Sequence, residues 1–352
     1  MPVALSETLR TRLRNSPGLG GAPLGNLFRE ISDRTAIALV RYAHAAGARY
    51  FDTAPHYGHG RSERRMGDAL RELPRDDYLL STKVGRLLEP RADAPRDQHG
   101  YIDTLPFVQR YDYTAEGVRR SLADSLQRLG LARVDLVYVH DIDRATHGEA
   151  HPRRLADALD GGFPALATLK AEGAIVGYGL GVNDVAICRE VLRQTDLDVI
   201  LLAGRYTLAD QSALPELLPE CERRGVTIVL GGPFNSGILA TGARPLDGSL
   251  PYFNYSPAPS AIVERVAAIE RVCGEFAVPL PAAALQFSLG HPAVTCVLPG
   301  ARSAAQFDEN LRHARYPIPA RFWRALREQR LIDARAPLPG EHPAPVPREA
   351  PR

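Results

Sequence analysis

Four side chains able to move a proton stand at the ends of three strand-like runs. Tyr50-Phe-Asp-Thr-Ala-Pro-His-Tyr57-Gly carries an acid, Asp52, and a phenol, Tyr57. Ser81-Thr-Lys83-Val-Gly carries an amine, and Val134-Asp-Leu-Val-Tyr-Val139 runs into His140. Strand C-termini are where α/β folds place their chemistry, because loops there vary without disturbing the sheet. An acid, a phenol, an amine and an imidazole at successive strand ends form the proton-transfer set of a carbonyl/alcohol oxidoreductase. Tyr57 is the candidate general acid/base. A phenol ordinarily titrates near ~10, too high for efficient proton exchange at neutral pH, and a neighbouring ammonium lowers it. Lys83 is the expected source of that ammonium, Asp52 the group that keeps it charged and aimed, and His140 the group that orients the substrate oxygen. Taken singly, each residue has a plainer reading: a Tyr before Gly packs in a turn, and a Lys at a strand end is solvated. Their joint placement favours chemistry.

The elements that must position them alternate along the chain. Strands are expected near 18–23, 50–53, 78–82, 136–139, 175–179, 199–202, 227–230 and 295–298, with amphipathic helices over 35–46, 62–72, 115–129, 154–172, 185–193, 213–224, 261–276 and after Ser303. In the first helix Ser32 or Asp33 is a suitable cap, Ile37, Val40 and Ala43 recur at helical spacing, and Gly47 ends the run. Eight strands separated by helices predict an α/β fold of the (β/α)8 barrel type, one domain over 1–335; the count argues against a six-stranded open sheet. Segments 86–113 and 237–260 read as long βα loops, and loops of that length are usually functional. The proline-rich stretch 336–352 reads as a disordered tail.

Bulk properties exclude several classes. With 43 Lys and Arg against 41 Asp and Glu, the net charge of +2 offers no surface for nucleic acid or anionic membrane. Cys188, Cys221, Cys273 and Cys296 are too scattered for a disulfide frame or a zinc site, and fit reduced, packed thiols. The opening residues, MPVALSETLRTRLR, have no apolar run of signal-peptide type. The expectation is a cytoplasmic protein, monomer or small homo-oligomer, acting on a small molecule. His147-Gly-Glu-Ala-His151 has the wrong order for a helical zinc motif, and Gly148 and Pro152 make it a loop, so no metal is expected. Asp141 and Asp143 read as loop caps.

The FDTA-x-x-YG, S-T-K and V-H segments together resemble the aldo-keto reductases, whose tetrad is Asp-Tyr-Lys-His in this order. The resemblance spans roughly 18–315 and implies hydride transfer with NAD(P), with Asp52, Tyr57, Lys83 and His140 as catalytic residues. No GxGxxG string follows a strand and opens a helix, so a Rossmann site is not supported. By the family pattern Asn183 would hold the nicotinamide carboxamide, although the usual preceding Ser is absent; alternatively it caps the next helix. The run Gly231-Gly-Pro233-Phe234-Asn-Ser-Gly237 resembles the pyrophosphate loop, with Gly231 where a stacking Tyr often stands and Phe234 a candidate to replace it. The run 298–310 resembles the adenosine-phosphate clamp at a helix N-terminus. Gly300 and Gln306 stand where NADP-preferring members often carry Lys and Arg, leaving Arg302, while Glu309 and Asn310 match the adenine-contacting pair. NAD is therefore the expected cofactor, with NADP possible. Within the family, the KVGRLL, AGRYTL and GGPFNSGIL strings look most like the sugar dehydrogenases, which oxidise the anomeric hydroxyl of aldoses such as fucose, galactose or arabinose to the lactone. Pyridoxal 4-dehydrogenases share these features and are the alternative, followed by a general aldehyde or ketone reductase. A non-catalytic nicotinamide-binding barrel is disfavoured by the intact tetrad. Asp103, Arg110 and Tyr111, and the aromatic run 252–255, are candidates for substrate contact.

Overall fold

The computed structural model describes residues 7–14 and 18–341. Eight parallel strands form one sheet: β1 (Gly18–Gly20), β2 (Tyr50–Asp52), β3 (Leu79–Val84), β4 (Leu136–His140), β5 (Gly177–Val182), β6 (Val199–Ala203), β7 (Thr227–Gly231) and β8 (Val294–Leu298). Each strand pairs with the next in sequence, and a bridge between Gly20 and Gly300, with Gly20 N–H donating to the Pro299 carbonyl at 3.1 Å, joins the last edge to the first. The result is the expected (β/α)8 barrel.

The two-residue period of a strand decides what faces the barrel axis. Tyr50, Leu79, Leu136, Tyr138, Val199, Leu201, Val229, Cys296 and Leu298 fill the interior, whereas Phe51, Leu80, Val137 and Val139 pack outward against the helices. Continuing the inward series toward the strand C-termini brings Asp52, Ser81, Lys83 and His140 to the same rim. The other end is plugged by a helix that the sequence pattern does not announce, Glu7–Arg14, whose Leu9 and Leu13 complete the interior cluster. Arg10 fastens it by donating from Nε to Thr227 Oγ1 at 3.0 Å.

Several sequence-based boundaries need correction. Strand β5 lies a few residues later than expected, so Leu180-Gly181-Val182 belong to it. Segment 86–113 is not an irregular loop: Arg86–Pro90 and Phe107–Tyr111 form an antiparallel hairpin over the barrel mouth, Leu88 opposite Gln109. The expected helix 154–172 begins at His151, and its halves, His151–Asp157 and Phe163–Ala171, meet in a π turn at Ala158–Gly162. There Gly162 lets the helix close on the Tyr113 carbonyl, 2.6 Å from where a Cβ would lie. Helices Leu280–Phe287 and Ala320–Glu328 were not foreseen. The start of the proline-rich stretch is not disordered. Ala336 and Leu338 are buried, and Arg327 Nη2 donates to the Ala336 carbonyl at 2.7 Å. Residues 342–352 lie outside the described residues.

Candidate active site

At the rim of the barrel Lys83 Nζ donates to Asp52 Oδ2 at 2.7 Å and to the Thr53 carbonyl at 2.9 Å, with Lys83 only 1% and Asp52 3% exposed. Ser81 donates to the other carboxylate oxygen, Asp52 Oδ1, at 2.7 Å. Because Ser81 spends its proton there, it accepts from Tyr50, which in turn accepts from Tyr138, at 2.9 and 2.8 Å. Interior hydroxyls thus run up the barrel to the carboxylate. Burial pushes the Asp52 carboxyl up, and Lys83 and Ser81 oppose that rise. Gly181 makes room for the lysine stem, since a Cβ there would lie 3.3 Å from Lys83 Cε.

A buried pair stripped of one partner leaves an uncompensated charge. Lys83→Met is therefore expected to destabilise the protein by about 3–5 kcal/mol. Adding Asp52→Asn should recover much of that loss in a denaturant titration. Equal stability of the single and double variants would show that the pair does not hold the rim together.

Tyr57 lies in the loop after β2, its ring 4.7 Å from Lys83 Nζ and facing His140 edge-on at 6.1 Å between centroids. Tyr101, from the hairpin connection, stacks on the same ring at 6.0 Å between centroids. The phenol does not behave as the sequence suggests. Burial first, then the charges of Asp52 and the nearby Tyr101, Tyr255 and Asp141, push it well above the ordinary tyrosine value, and Lys83 does not reverse this. The ammonium is spent on Asp52 and Thr53, and its pull toward the phenolate falls short of the cost of burying that charge. The resting Tyr57 is a protonated phenol.

His140 ends β4, its backbone carbonyl accepting from Tyr113 Oη at 2.7 Å. Burial, then Arg86, Lys83 and His56, push the imidazole well below its usual value, so it is neutral. Asp141 is more than a loop cap. Its backbone is left-handed at φ 44°, and its carboxylate meets His140 Nε2 at 3.3 Å and Arg86 Nη2 at 2.6 Å. Asp143 does cap a helix, accepting from Thr146 N–H at 2.9 Å. The His147 segment is helical rather than a loop; His147 Nε2 meets Tyr113 Oη at 3.0 Å, and among the described residues no group of three His, Cys, Asp or Glu is placed to hold a metal.

These groups line a cavity of about 370 Å³ whose wall includes Tyr57, Lys83, His140, Asn183, Tyr101 and Tyr255. Gly181, Val182, Leu201 and Ala203 form an apolar stretch of that wall beside the Asn183 amide. An apolar wall with an amide among its residues suits an aromatic ring bearing a carboxamide, so the residues fit a nicotinamide. Asn183 is not the helix cap: Asp184 is, accepting from Ile187 N–H at 2.9 Å. Arg205, noted in the sequence only as part of the AGRYTL string, fixes Asn183 by donating to its carbonyl at 2.6 Å while holding Asp210 and Asn254 at 3.0 Å.

The other cofactor candidates divide. Gly231 ends β7, and Pro233 and Gly237 lie on the turn after it, where Gly237 has φ 117°. Phe234 packs on the hydrophobic core and is not in the cavity wall, so the aromatic group on that side is Tyr255. In the expected clamp, Ser303 caps the helix Ala304–Ala314 through Gln306 N–H at 3.2 Å, and Gln306 Oε1 accepts from Arg302 N–H at 2.8 Å. Gly300 has a structural reason to lack a side chain, since a Cβ would come within 2.7 Å of Pro23 Cγ. Asn310 is turned inward, donating to the Gly300 carbonyl at 3.3 Å, while Glu309 is exposed beside Arg312. Arg302 reaches the Leu27 carbonyl at 3.2 Å, and burial and the neighbouring Arg29 depress its guanidinium. Among the substrate candidates, Asp103 is bound by Arg61 and Arg96, Arg110 by Glu89 and Asp112, and Tyr111 by Arg86 at 2.9 Å, so none of these three lines the cavity. Tyr252 does not line the cavity but meets Phe28, which does, at 6.3 Å between ring centroids.

A barrel with an acid, a lysine, a tyrosine and a histidine at one rim defines a class. Residues 18–330 match the aldo/keto reductase family, and the chain belongs to it. It is 45% identical over 325 residues to pyridoxal 4-dehydrogenase of Microbacterium luteolum, covering 90% of this chain and 94% of that one. It is also 43% identical over 324 residues to D-threo-aldose 1-dehydrogenase of a Pseudomonas species, with the same coverage of both chains. An aldo-keto reductase of Bacillus halodurans in its holo form superposes with a TM-score of 0.67 at 26% identity, covering 91% of this chain and 92% of that one. The protein is a nicotinamide-dependent oxidoreductase of that family.

Proposed function

We propose that the enzyme oxidises the anomeric hydroxyl of an aldose of the fucose, galactose or arabinose type to the lactone, with NAD as the preferred acceptor. The observation that carries this reading is the cavity wall. It is rich in hydrogen-bonding groups, yet its only Lys or Arg is Lys83, already paired with Asp52, so it suits a neutral hydroxylated substrate and not a phosphorylated one. Bound nicotinamide supplies the hydride acceptor. Tyr57 first gives its own proton to solvent and then, as the phenolate, takes the hydroxyl proton as the C–H hydride leaves; His140 orients the oxygen, and Asp52 with Ser81 holds Lys83 against the Tyr57 ring. The products are lactone, reduced cofactor and one proton. Run backwards, the protonated Tyr57 is the acid for carbonyl reduction.

A second reading is favoured by the 45% identity to pyridoxal 4-dehydrogenase and by Tyr57, Tyr101 and Tyr255 around the cavity, which suit a planar ring. Pyridoxal in its cyclised hemiacetal form offers the same carbon and hydroxyl as an aldose, so the roles of Tyr57 and His140 carry over unchanged.

Cofactor choice follows from the clamp. A dianionic 2′-phosphate needs Lys or Arg in charge-assisted hydrogen bonds. Gly300 and Gln306 supply none, and Arg302 is turned to the Leu27 carbonyl, although Arg29 adds a second cation nearby. NAD is expected to be used at least as well as NADP when kcat/KM is compared on L-fucose, D-arabinose, L-galactose and pyridoxal. A strong NADP preference would refute this choice and direct attention to Arg302→Ala and Arg29→Ala. Turnover of pyridoxal far above every aldose would replace the first reading by the second.

A further inference from the structure

We infer that His56 is a specificity-determining residue, donating from Nε2–H to a hydroxyl near the reacting carbon of the substrate and locked in that tautomer by Gln109. The inference deepens the reading of a hydroxylated substrate and rests on it.

The tautomer follows from two determinations that agree. Gln109 lies on the second strand of the mouth hairpin, and its Oε1 sits 2.6 Å from Arg86 Nη1. Arginine can only donate, so the amide oxygen must face it and the amide nitrogen must face the imidazoles. That nitrogen lies 2.7 Å from His56 Nδ1 and 2.9 Å from His59 Nε2. Both ring nitrogens therefore accept, which leaves the protons on His56 Nε2 and His59 Nδ1. Independently, His59 Nδ1 sits 2.7 Å from the Phe107 carbonyl, a contact that requires a proton on Nδ1. The same protonation pattern satisfies every partner.

His56 is also neutral. Burial, then the positive charge of Arg86 and the nearby imidazoles, pushes it well below the usual histidine value. With Nδ1 spent on an amide that relays no proton, the ring cannot shuttle protons between Tyr57 and solvent. It remains a fixed donor. The ring lines the cavity, braced edge-on by Tyr101 at 5.2 Å and His140 at 5.8 Å, and Nε2 makes no hydrogen bond to the described protein. A site that offers a buried polar group to a substrate hydroxyl discriminates against the analogue lacking it, because that group is then left unpaired.

The test pairs kinetics with a spectrum. NAD reduction is measured on the parent aldose and its monodeoxy analogues for wild type, His56→Leu and Gln109→Leu, with NADH fluorescence titration to check that each variant folds and binds cofactor. The wild type should disfavour one deoxy sugar, and His56→Leu should lower kcat/KM on the parent by about 10- to 100-fold while leaving that one deoxy sugar almost unchanged. In parallel, ¹⁵N-labelled wild type should show His56 neutral with its proton on Nε2, and Gln109→Leu should convert it to a mixture. An equal loss on parent and every analogue, no loss at all, or an Nδ1–H or protonated ring in wild type would overturn the inference. Failure of wild type to reduce NAD with any hydroxyl compound tested would overturn the functional reading and the substrate half of this inference together; the spectrum still decides the tautomer.

Discussion

Tyr57→Phe is expected to lower turnover at least ~10²-fold, the usual contribution of a positioned acid/base, and to leave cofactor binding intact. The substitution removes one oxygen from a ring that is otherwise held by its faces. Lys83 Nζ stands 4.7 Å from the ring centroid, Tyr101 stacks at 6.0 Å and His140 meets it edge-on at 6.1 Å, and all three contacts survive in phenylalanine. The Asp52–Lys83–Ser81 cluster makes none of its hydrogen bonds through the phenol, so it too is retained. A fall in kcat with unchanged NADH binding and unchanged melting temperature therefore reports the lost proton and nothing else. Activity within a few-fold of wild type would sink the role given to Tyr57, and attention would pass to Tyr101 and Tyr255, the other phenols in the cavity wall.

How much of this was legible beforehand depends on how local the signal is. The strand ends were legible because inward-facing residues on adjacent strands repeat every second position and end in unusual types: Tyr50 then Asp52, Ser81 then Lys83, Tyr138 then His140. The (β/α)8 topology follows from the count of such runs. What was not legible depends on pairing between distant segments. The hairpin Arg86–Pro90 and Phe107–Tyr111 is joined by a long connection, and in the sequence Arg110 and Tyr111 read as substrate contacts and Arg86 only as part of the KVGRLL string, whereas Gln109 and Arg86 carry the contacts that matter. The helix Glu7–Arg14 has just two apolar anchors, Leu9 and Leu13, and their value appears only when the barrel floor is there to receive them. Asp141 looked like a cap because its neighbour Asp143 is one; the left-handed turn that points it back at Arg86 is invisible in composition.

The protonation of Tyr57 shows the same limit in energetic form. An ammonium beside a phenol suggests a lowered pKa, but a sequence does not say how deeply both are buried or where the ammonium spends its protons. Desolvation of the phenolate, together with the carboxylates of Asp52 and Asp141, outweighs Lys83, whose Nζ is committed to Asp52 and Thr53. The resting site is therefore poised for carbonyl reduction, and oxidation must first remove a proton from Tyr57.

That asymmetry sets the pH dependence. If oxidation requires the phenolate and its pKa stands well above the ordinary tyrosine value, the active fraction grows about tenfold for each pH unit throughout the range below that pKa. The oxidation rate with saturating NAD should accordingly climb by about 10²-fold from about pH 7 to about pH 9 with no plateau. Reduction of the corresponding carbonyl by NADH uses the protonated phenol and should stay flat over the same interval. The imidazoles do not distort the comparison: His140 and His56 are pushed well below the usual histidine value by burial and by Arg86, so both are neutral throughout this range. Lys83→Met removes a positive charge from beside the phenol and should move the rising limb further toward alkaline pH. Initial rates in both directions across a buffer series of constant ionic strength decide the matter. An oxidation profile that levels off near neutrality would show that Tyr57 is acidified in the working complex, with Lys83 dominating the electrostatics after all.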